Sequence, residues 1–333
     1  MNTMPLSPKY KAFLRTDAKA EFLEGTTAAG KTTVGAVKFM FKVAQNPKKL
    51  HILSGLDLGT IEKNIISKDL GILEVFAGFV EYNSNGKGDI TLPHLLYKPK
   101  KGVERDILGL GYDNKKRWQK ALGGQYGCLY IDEINIADMD YVREAVMRCD
   151  YLMATLNPDD PSLPVYKEYV NCSRPLPQYK DDTPRQILDE LKEQSKPGWI
   201  HWFFSFKDNL GLPEEKKQQI INSVAPGTKQ HKNKILGLRG RATGLVFPNF
   251  EYKRHAVAKH WLKNEIKEGR IKVKRYTAGL DPSYSSQSED TISMVFQLIT
   301  ECRKVITVDE KVYSNKDISI PLAPSDTVNN FID

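Results

Sequence analysis

The sequence predicts an α/β fold: a parallel sheet flanked by helices and wound around a phosphate-binding loop, with a short antiparallel piece behind it. Three observations carry this prediction. Residues 25–32 read Gly-Thr-Thr-Ala-Ala-Gly-Lys-Thr and match G-x-x-x-x-G-K-[ST] at every fixed position. Residues 127–133 read Gly-Cys-Leu-Tyr-Ile-Asp-Glu, an apolar run ending in two carboxylates. A buried parallel strand should look like that, with charge allowed only at its C-terminal tip. Strand-like and helix-like segments also alternate through residue 155, the pattern of a parallel α/β core.

The elements follow in order. Residues 1–20 read as a short, partly helical lead-in, and 20–24 (Ala-Glu-Phe-Leu-Glu) as the strand before the loop. A helix is expected over 33–43, with Val34, Val37, Met40 and Phe41 on one side. Residues 50–54 are a second strand and 60–70 a second helix. Residues 80–115 are rich in Gly, Lys and Asn, with strand-like pieces at 90–92 and 107–110, which suits hairpin excursions at a sheet edge. A helix over 137–149 precedes a core strand at 151–155, which Leu156-Asn157-Pro158 stops. The aromatic run 199–206 reads as a strand. Residues 213–224 read as a helix opened by Pro213, Glu214 and Glu215. Strands at 272–281, 291–299 and 304–312 lie too close together for βαβ units and predict an antiparallel meander. The expected organisation is a first domain over 1–245, its last 40 or so residues a lid or linker subdomain, then a linker over 246–270 and a smaller domain over 271–333.

Each motif brings chemistry. In a phosphate-binding loop, backbone N–H groups cradle the phosphates, here those of Gly25, Thr26, Thr27, Ala28, Ala29 and Gly30. The helix beginning near Lys31 adds the positive end of its dipole and brings Thr33 to the site. Lys31 would reach the β/γ-phosphates of ATP, and the Thr32 hydroxyl would bind Mg²⁺. Asp132 would be a second Mg²⁺ ligand and Glu133 the base that polarises water, which favours hydrolysis over transfer to a second substrate. Thr155 and Asn157, at the end of a strand expected beside the Asp132 strand, would sense the γ-phosphate.

Composition narrows the class. Of 333 residues, 40% are hydrophobic and 27% charged, as in ordinary globular proteins. No apolar run approaches the roughly 18–20 residues of a membrane span, so no membrane partner is expected. Cys128, Cys149, Cys172 and Cys302 have neither metal-ligand nor disulfide-framework spacing. The net charge is +8, yet residues 196–275 hold 18 Lys and Arg against six Asp and Glu. That local excess suits a polyanion such as double-stranded DNA, bound through phosphates without sequence preference.

Four further stretches resemble the large subunit of tailed-bacteriophage terminases. Ala154-Thr155-Leu156-Asn157-Pro158 is similar to the family's coupling motif. Phe206-Lys207-Asp208-Asn209 with Leu212-Pro213-Glu214-Glu215 is similar to the segment after its core sheet. Residues 236–250 (LGLRGRATGLVFPNF) resemble its junction between ATPase and nuclease, and Gly279-Leu280-Asp281 with Ser288-Glu289-Asp290-Thr291 resembles the opening of its RNase H-like nuclease. The resemblance spans almost the whole chain.

The resemblance implies a viral DNA-packaging motor in which ATP hydrolysis drives duplex DNA into a procapsid. It implies a small terminase subunit and a portal protein as partners, a homo-oligomeric ring on the portal with a monomer in isolation, and the host cell cytoplasm as location. It also implies a nuclease using Mg²⁺ or Mn²⁺ on carboxylates. Asp281 fits the first of these ligands and the catalytic role, with Glu310 and Asp290 as further candidates. Later strands and acids of such a nuclease are not found in the sequence, so an incomplete nuclease is expected.

Two departures from the family pattern concern arginine and length. No arginine stands among Thr26, Thr27, Ala28 and Ala29, where many relatives carry one. Arg143 and Arg148 or a neighbouring subunit are the alternatives. Competing readings are a P-loop helicase or recombination ATPase, which would continue past residue 240 with a second α/β half, and a small-molecule kinase, against which Glu133 argues.

Overall fold

A computed structural model of the chain describes residues 5–240, 255–281 and 291–314. The chain divides into two units, Met1–Leu245 and Val246–Asp333.

The first unit is built on an eight-stranded sheet. Its strands are β1 (Ala20–Gly25), β2 (Leu50–Gly55), β3 (Val80–Asn83), β4 (His94–Lys100), β5 (Val103–Gly111), β6 (Tyr126–Ile131), β7 (Cys149–Leu156) and β8 (Trp199–Phe204). They lie in the order β3-β4-β5-β2-β6-β7-β1-β8. From β5 to β8 every neighbouring pair is parallel, and β3 and β4 are added antiparallel at one edge. Strand β7 therefore lies between the loop-bearing β1 and the Asp132-bearing β6. Parallel strands put their C-terminal ends on one sheet edge, where ligands of such sheets collect.

Alternation along the strands explains why both faces are covered. Leu23, Leu53, Tyr130 and Met153 face one layer with Phe13 of α1 (Pro8–Arg15) and Val34, Phe39, Met40 and Val43 of α2 (Lys31–Gln45). Phe22, Ile52, Leu129, Ile131, Leu152 and Ala154 face the other, with Trp118 and with Tyr141, Val142 and Ala145 of α3 (Met139–Met147). Two-sided burial is why these strands read as continuous apolar runs. Charged side chains are admitted to the core where they find partners. The fully buried Glu21 carboxylate accepts hydrogen bonds from Lys38 Nζ (2.6 Å), Tyr151 Oη (2.7 Å) and Trp202 Nε1 (2.9 Å). Three donors meet the demand that burying a carboxylate makes.

Several local expectations shift. The helical face of α2 buries Phe39, and Phe41 is 43% exposed. The 60–70 helix is one turn at Leu58–Ile61 continued by a π turn at Glu62–Ile66. Residues 107–110 lie in the second strand of an antiparallel β4–β5 hairpin, with Leu95 opposite Ile107 and His94 opposite Leu108, as the edge reading expects. On its other side β5 pairs in parallel with β2, so this strand joins the antiparallel β3-β4-β5 edge to the parallel sheet. The 213–224 helix is α4 (Glu214–Asn222).

In the second unit, α5 (Lys259–Lys267) lies within the stretch read as linker. Three strands follow, β9 (Val273–Asp281), β10 (Thr291–Thr300) and β11 (Val305–Ser314). They form an antiparallel sheet with β10 in the middle, as the sequence predicts. Ile292, Met294 and Leu298 of β10 are buried. Ser288, Glu289 and Asp290 and the 241–250 part of the junction motif lie outside the described residues. Among the described residues no helix is long and apolar enough to cross a membrane.

Candidate nucleotide site

Residues 25–32 form a tight loop from the end of β1 into α2, and two glycines make it possible. Gly25 has φ of 150°, and a Cβ there would sit 1.7 Å from the Phe204 carbonyl oxygen of β8. Gly30 caps α2 in the left-handed region at φ of 92°, where side chains with a Cβ are strained.

The loop is fixed from outside. Tyr10 Oη donates to the Ala29 carbonyl (2.8 Å) and Asn209 Nδ2 to the Ala28 carbonyl (2.7 Å). The Thr26 amide donates to the Phe204 carbonyl (3.0 Å) and the Thr27 amide to the Lys234 carbonyl (2.8 Å). Those two amides therefore do not turn inward with the rest of the loop, as the motif alone suggests. Residues 28–33 line the cavity, and the first N–H groups of α2 have no intrahelical partner.

Inside the loop lies a cavity of about 300 Å³, walled by residues 27–33 with Lys68, Glu133, Thr155, Leu156, Asn157 and Asn209. Lys31 is buried, and its Nζ donates to the carbonyls of Thr26 (2.6 Å) and Gly25 (3.0 Å) and to Asn157 Oδ1 (3.1 Å). Burial pulls its pKa down to about 7, while Asp132, Glu24 and Glu133 act in the opposite direction. A buried ammonium held only by neutral oxygens, beside unpaired helix-terminal amides, is chemistry that an anion would complete. The residues present fit a polyphosphate.

Asp132 follows β6. Its Oδ1 accepts from Thr155 Oγ1 (2.5 Å), Thr32 Oγ1 (3.1 Å) and Tyr130 Oη (3.3 Å). The register explains the first contact: Ile131 pairs with Ala154, so the next residues of β6 and β7 emerge side by side. A carboxylate and a hydroxyl converging on one point are oxygen donors of the kind Mg²⁺ takes. Glu133 is next, held in the left-handed region at φ of 53°, a conformation costing about 1 kcal/mol for a residue with a Cβ. Its amide donates to Thr155 Oγ1 (3.3 Å). Burial first, and then Asp132, raise the Glu133 pKa, against Lys234 and Lys31.

The sequence-predicted residues of the first unit thus converge: residues 27–33, Glu133, Thr155 and Asn157 line one cavity, and Asp132 is hydrogen-bonded to Thr32 and Thr155 of its wall. Arg143 and Arg148 do not join them. Arg143 makes a two-pronged contact with Glu168 (2.8 and 2.6 Å), and Arg148 pairs with Glu144 (2.8 Å). Sequence reasoning missed Tyr10, Lys68, Asn209 and Lys234. Asn209 stands in a quoted motif, but nothing local marks the other three.

Asp281 and Glu310 lie in the second unit, on the two outer strands of its sheet. Asp281 pairs with Ser293 and Glu310 with Val295 across β10, so both occupy one face. Two strand spacings, each about 4.8 Å, and an offset of two residues along β10 separate them. Among the described residues no group of three or more His, Cys, Asp or Glu is placed to hold a metal ion.

No family model and no curated protein sequence matches the chain. Solved structures do match. The large terminase of a thermophilic bacteriophage is similar at a TM-score of 0.56 and 16% identity, over 98% of this chain and 73% of that one. The same terminase in complex with ATP-γ-S is similar at a TM-score of 0.53 and 17% identity, with equal coverage. The ATPase domain of a Thermus phage large terminase is similar at a TM-score of 0.52 and 13% identity, over 71% of this chain and 94% of that one. At these identities the likeness concerns architecture: the chain has the fold of the phage large terminases, a P-loop sheet flanked by helices.

Proposed function

We propose that this chain is the ATPase of a viral DNA-packaging motor. The observation that carries the proposal is the convergence of Lys31, Thr32, Glu133 and Asn157 on one cavity under the phosphate loop, with Asp132 hydrogen-bonded to Thr32. ATP lies with its phosphates on the loop amides and Lys31, whose present carbonyl contacts mark where its ammonium can turn. Thr32 and Asp132 are the residues that would hold Mg²⁺, which would neutralise phosphate charge. Glu133 takes a proton from the water that attacks the γ-phosphorus, and ADP leaves with the β-phosphate oxygen. A raised carboxylate pKa suits a proton acceptor. Thr155 touches both Asp132 and the Glu133 amide, and Asn157 touches Lys31, so a change at the γ-phosphate reaches β7 directly.

The partners proposed for the motor are double-stranded DNA, a portal protein, a small terminase subunit and further copies of the chain in a ring. DNA contact falls to the cationic 196–275 stretch, without sequence preference. The second unit is proposed as the opening strands of an RNase H-like nuclease, with Asp281 as its first Mg²⁺ or Mn²⁺ ligand and Glu310 on the same sheet face. The antiparallel β9-β10-β11 sheet favours this over a helicase, which would supply a second α/β half. The test is ATP turnover by the chain with and without duplex DNA. Hydrolysis that Lys31→Ala abolishes supports the proposal. Absence of hydrolysis in both conditions overturns it.

A further inference from the structure

The phosphate loop lacks the extra cation that an arginine at residues 26–29 would have supplied, yet the cavity contains a second lysine. Lys68 lies just beyond the π turn Glu62–Ile66, in the connection after β2. It is partly buried and lines the same cavity as Lys31, Thr32 and Thr33. Its Nζ donates to Thr33 Oγ1 at 2.7 Å, on the first turn of α2. Among the described residues that hydroxyl is its one hydrogen-bond partner, and no carboxylate pairs with it. Other lysines packed into this unit behave differently: Lys38 pairs with Glu21, Lys9 with Asp182, and Lys48 with Asp150.

We propose that Lys68 is a second polyphosphate-binding lysine, delivered in cis from the β2 connection to the N-terminus of α2. This rests on the nucleotide-site reading above and deepens it. Three features carry the assignment. The ammonium sits beside helix-terminal amides that an anion would occupy. Its single neutral partner leaves two of three donors for that anion. A flexible four-carbon stem lets it move from Thr33 to a phosphate oxygen without moving the backbone. Lys68 stands two residues past the end of the π turn, in the non-helical connection that follows it.

The experiment measures binding of fluorescent ATP and ADP analogues to the whole chain, displacement by tripolyphosphate, and ATP turnover. The variants are Lys68→Gln, Lys68→Arg and Lys31→Ala. Loss of one charge-assisted phosphate contact predicts roughly 10- to 100-fold weaker binding in Lys68→Gln. Tripolyphosphate, which has no base or sugar, should lose affinity in parallel, and Lys68→Arg should restore most of it. A purely structural role would lower the melting temperature and would not track the phosphate probe. Wild-type affinity and turnover in Lys68→Gln, with Lys31→Ala inactive, overturn the Lys68 assignment alone. Wild-type binding in Lys31→Ala overturns the nucleotide-site reading and the Lys68 assignment with it.

Discussion

Arg239 and Glu24 form a two-pronged ion pair with both side chains fully buried: Nε reaches Oε1 and Nη2 reaches Oε2, each at 2.8 Å. Glu24 immediately precedes the phosphate loop. Arg239 belongs to the Leu236–Gly240 part of the segment that leads out of the first unit. His201 Nε2 (2.9 Å to Glu24), Asn171 and Glu190 complete the network, and the guanidinium lies over the Tyr166 ring. The pair therefore ties the root of the loop to the exit of the unit.

Breaking it should be costly. Arg239→Met leaves Glu24 as an uncompensated buried charge, which typically costs about 3–5 kcal/mol. Urea denaturation followed by tryptophan fluorescence should register that loss. Replacing both partners, Glu24→Gln with Arg239→Met, should recover a large part of it, because no charge remains to be buried alone. Equal stability of wild type and Arg239→Met would remove the pair from the account.

Acid should weaken the first unit through buried histidines. His51 is buried with Nδ1 accepting from the Cys128 amide (3.0 Å) and Nε2 facing the Lys48 carbonyl (3.0 Å). Protonation at Nδ1 would break the first bond. Burial, the largest cause, takes its pKa from 6.5 to about 4, and burial lowers His201 as well. A histidine pKa that is lower in the folded state makes the unfolded chain bind more protons between these values. Stability is then full above pH 6.5 and falls toward pH 4, by up to about 1.4 kcal/mol per pH unit for His51. Urea midpoints at pH 7.5 and pH 5 should differ, and less so in His51→Gln. A midpoint independent of pH, or one rising in acid, contradicts this.

Thr155 joins Asp132 to the Glu133 amide. Thr155→Val keeps the shape and removes the hydroxyl, leaving both groups short of a partner. Turnover should fall at least about tenfold with ATP affinity nearly unchanged, since a lost hydrogen bond to a charged group is worth about 1.5–3 kcal/mol. Wild-type turnover in this variant would mean that the hydroxyl does not position the carboxylates.

Much of this fold was legible because its signals are local. The loop motif fixes its own turn, strand and helix, and the Ile131-Asp132-Glu133 tip reads directly as a buried strand end. What failed depends on distant partners. The charge excess of residues 196–275 counts Arg239 as available to DNA, yet it is spent inside the core on Glu24. Lys229 pairs with Asp159 and Lys207 with Asp182, so the exposed excess is smaller than the composition suggests. Strand β5 reads as a hairpin arm and pairs as one with β4, but its second, parallel pairing with β2, which joins it to the core sheet, has no local signal. Lys68 carries no motif at all, and it reaches the cavity from a non-helical connection where the sequence predicts a helix.

DNA binding should accordingly be weak and salt-sensitive. Each phosphate neutralised adds about −0.9 to the slope of log K against log salt. Fluorescence anisotropy of a labelled duplex at 50 mM and 300 mM salt checks this, and equal affinity at both would contradict an electrostatic contact.

The most direct test of the account is one comparison: ATP binding and ATP turnover in wild type and in Glu133→Gln. The variant keeps the loop, Lys31, Asp132 and the shape of the side chain, and removes only the proton acceptor. The account predicts ATP affinity within about threefold of wild type and turnover reduced by roughly 10²–10⁴. Turnover at the wild-type rate in Glu133→Gln would contradict it.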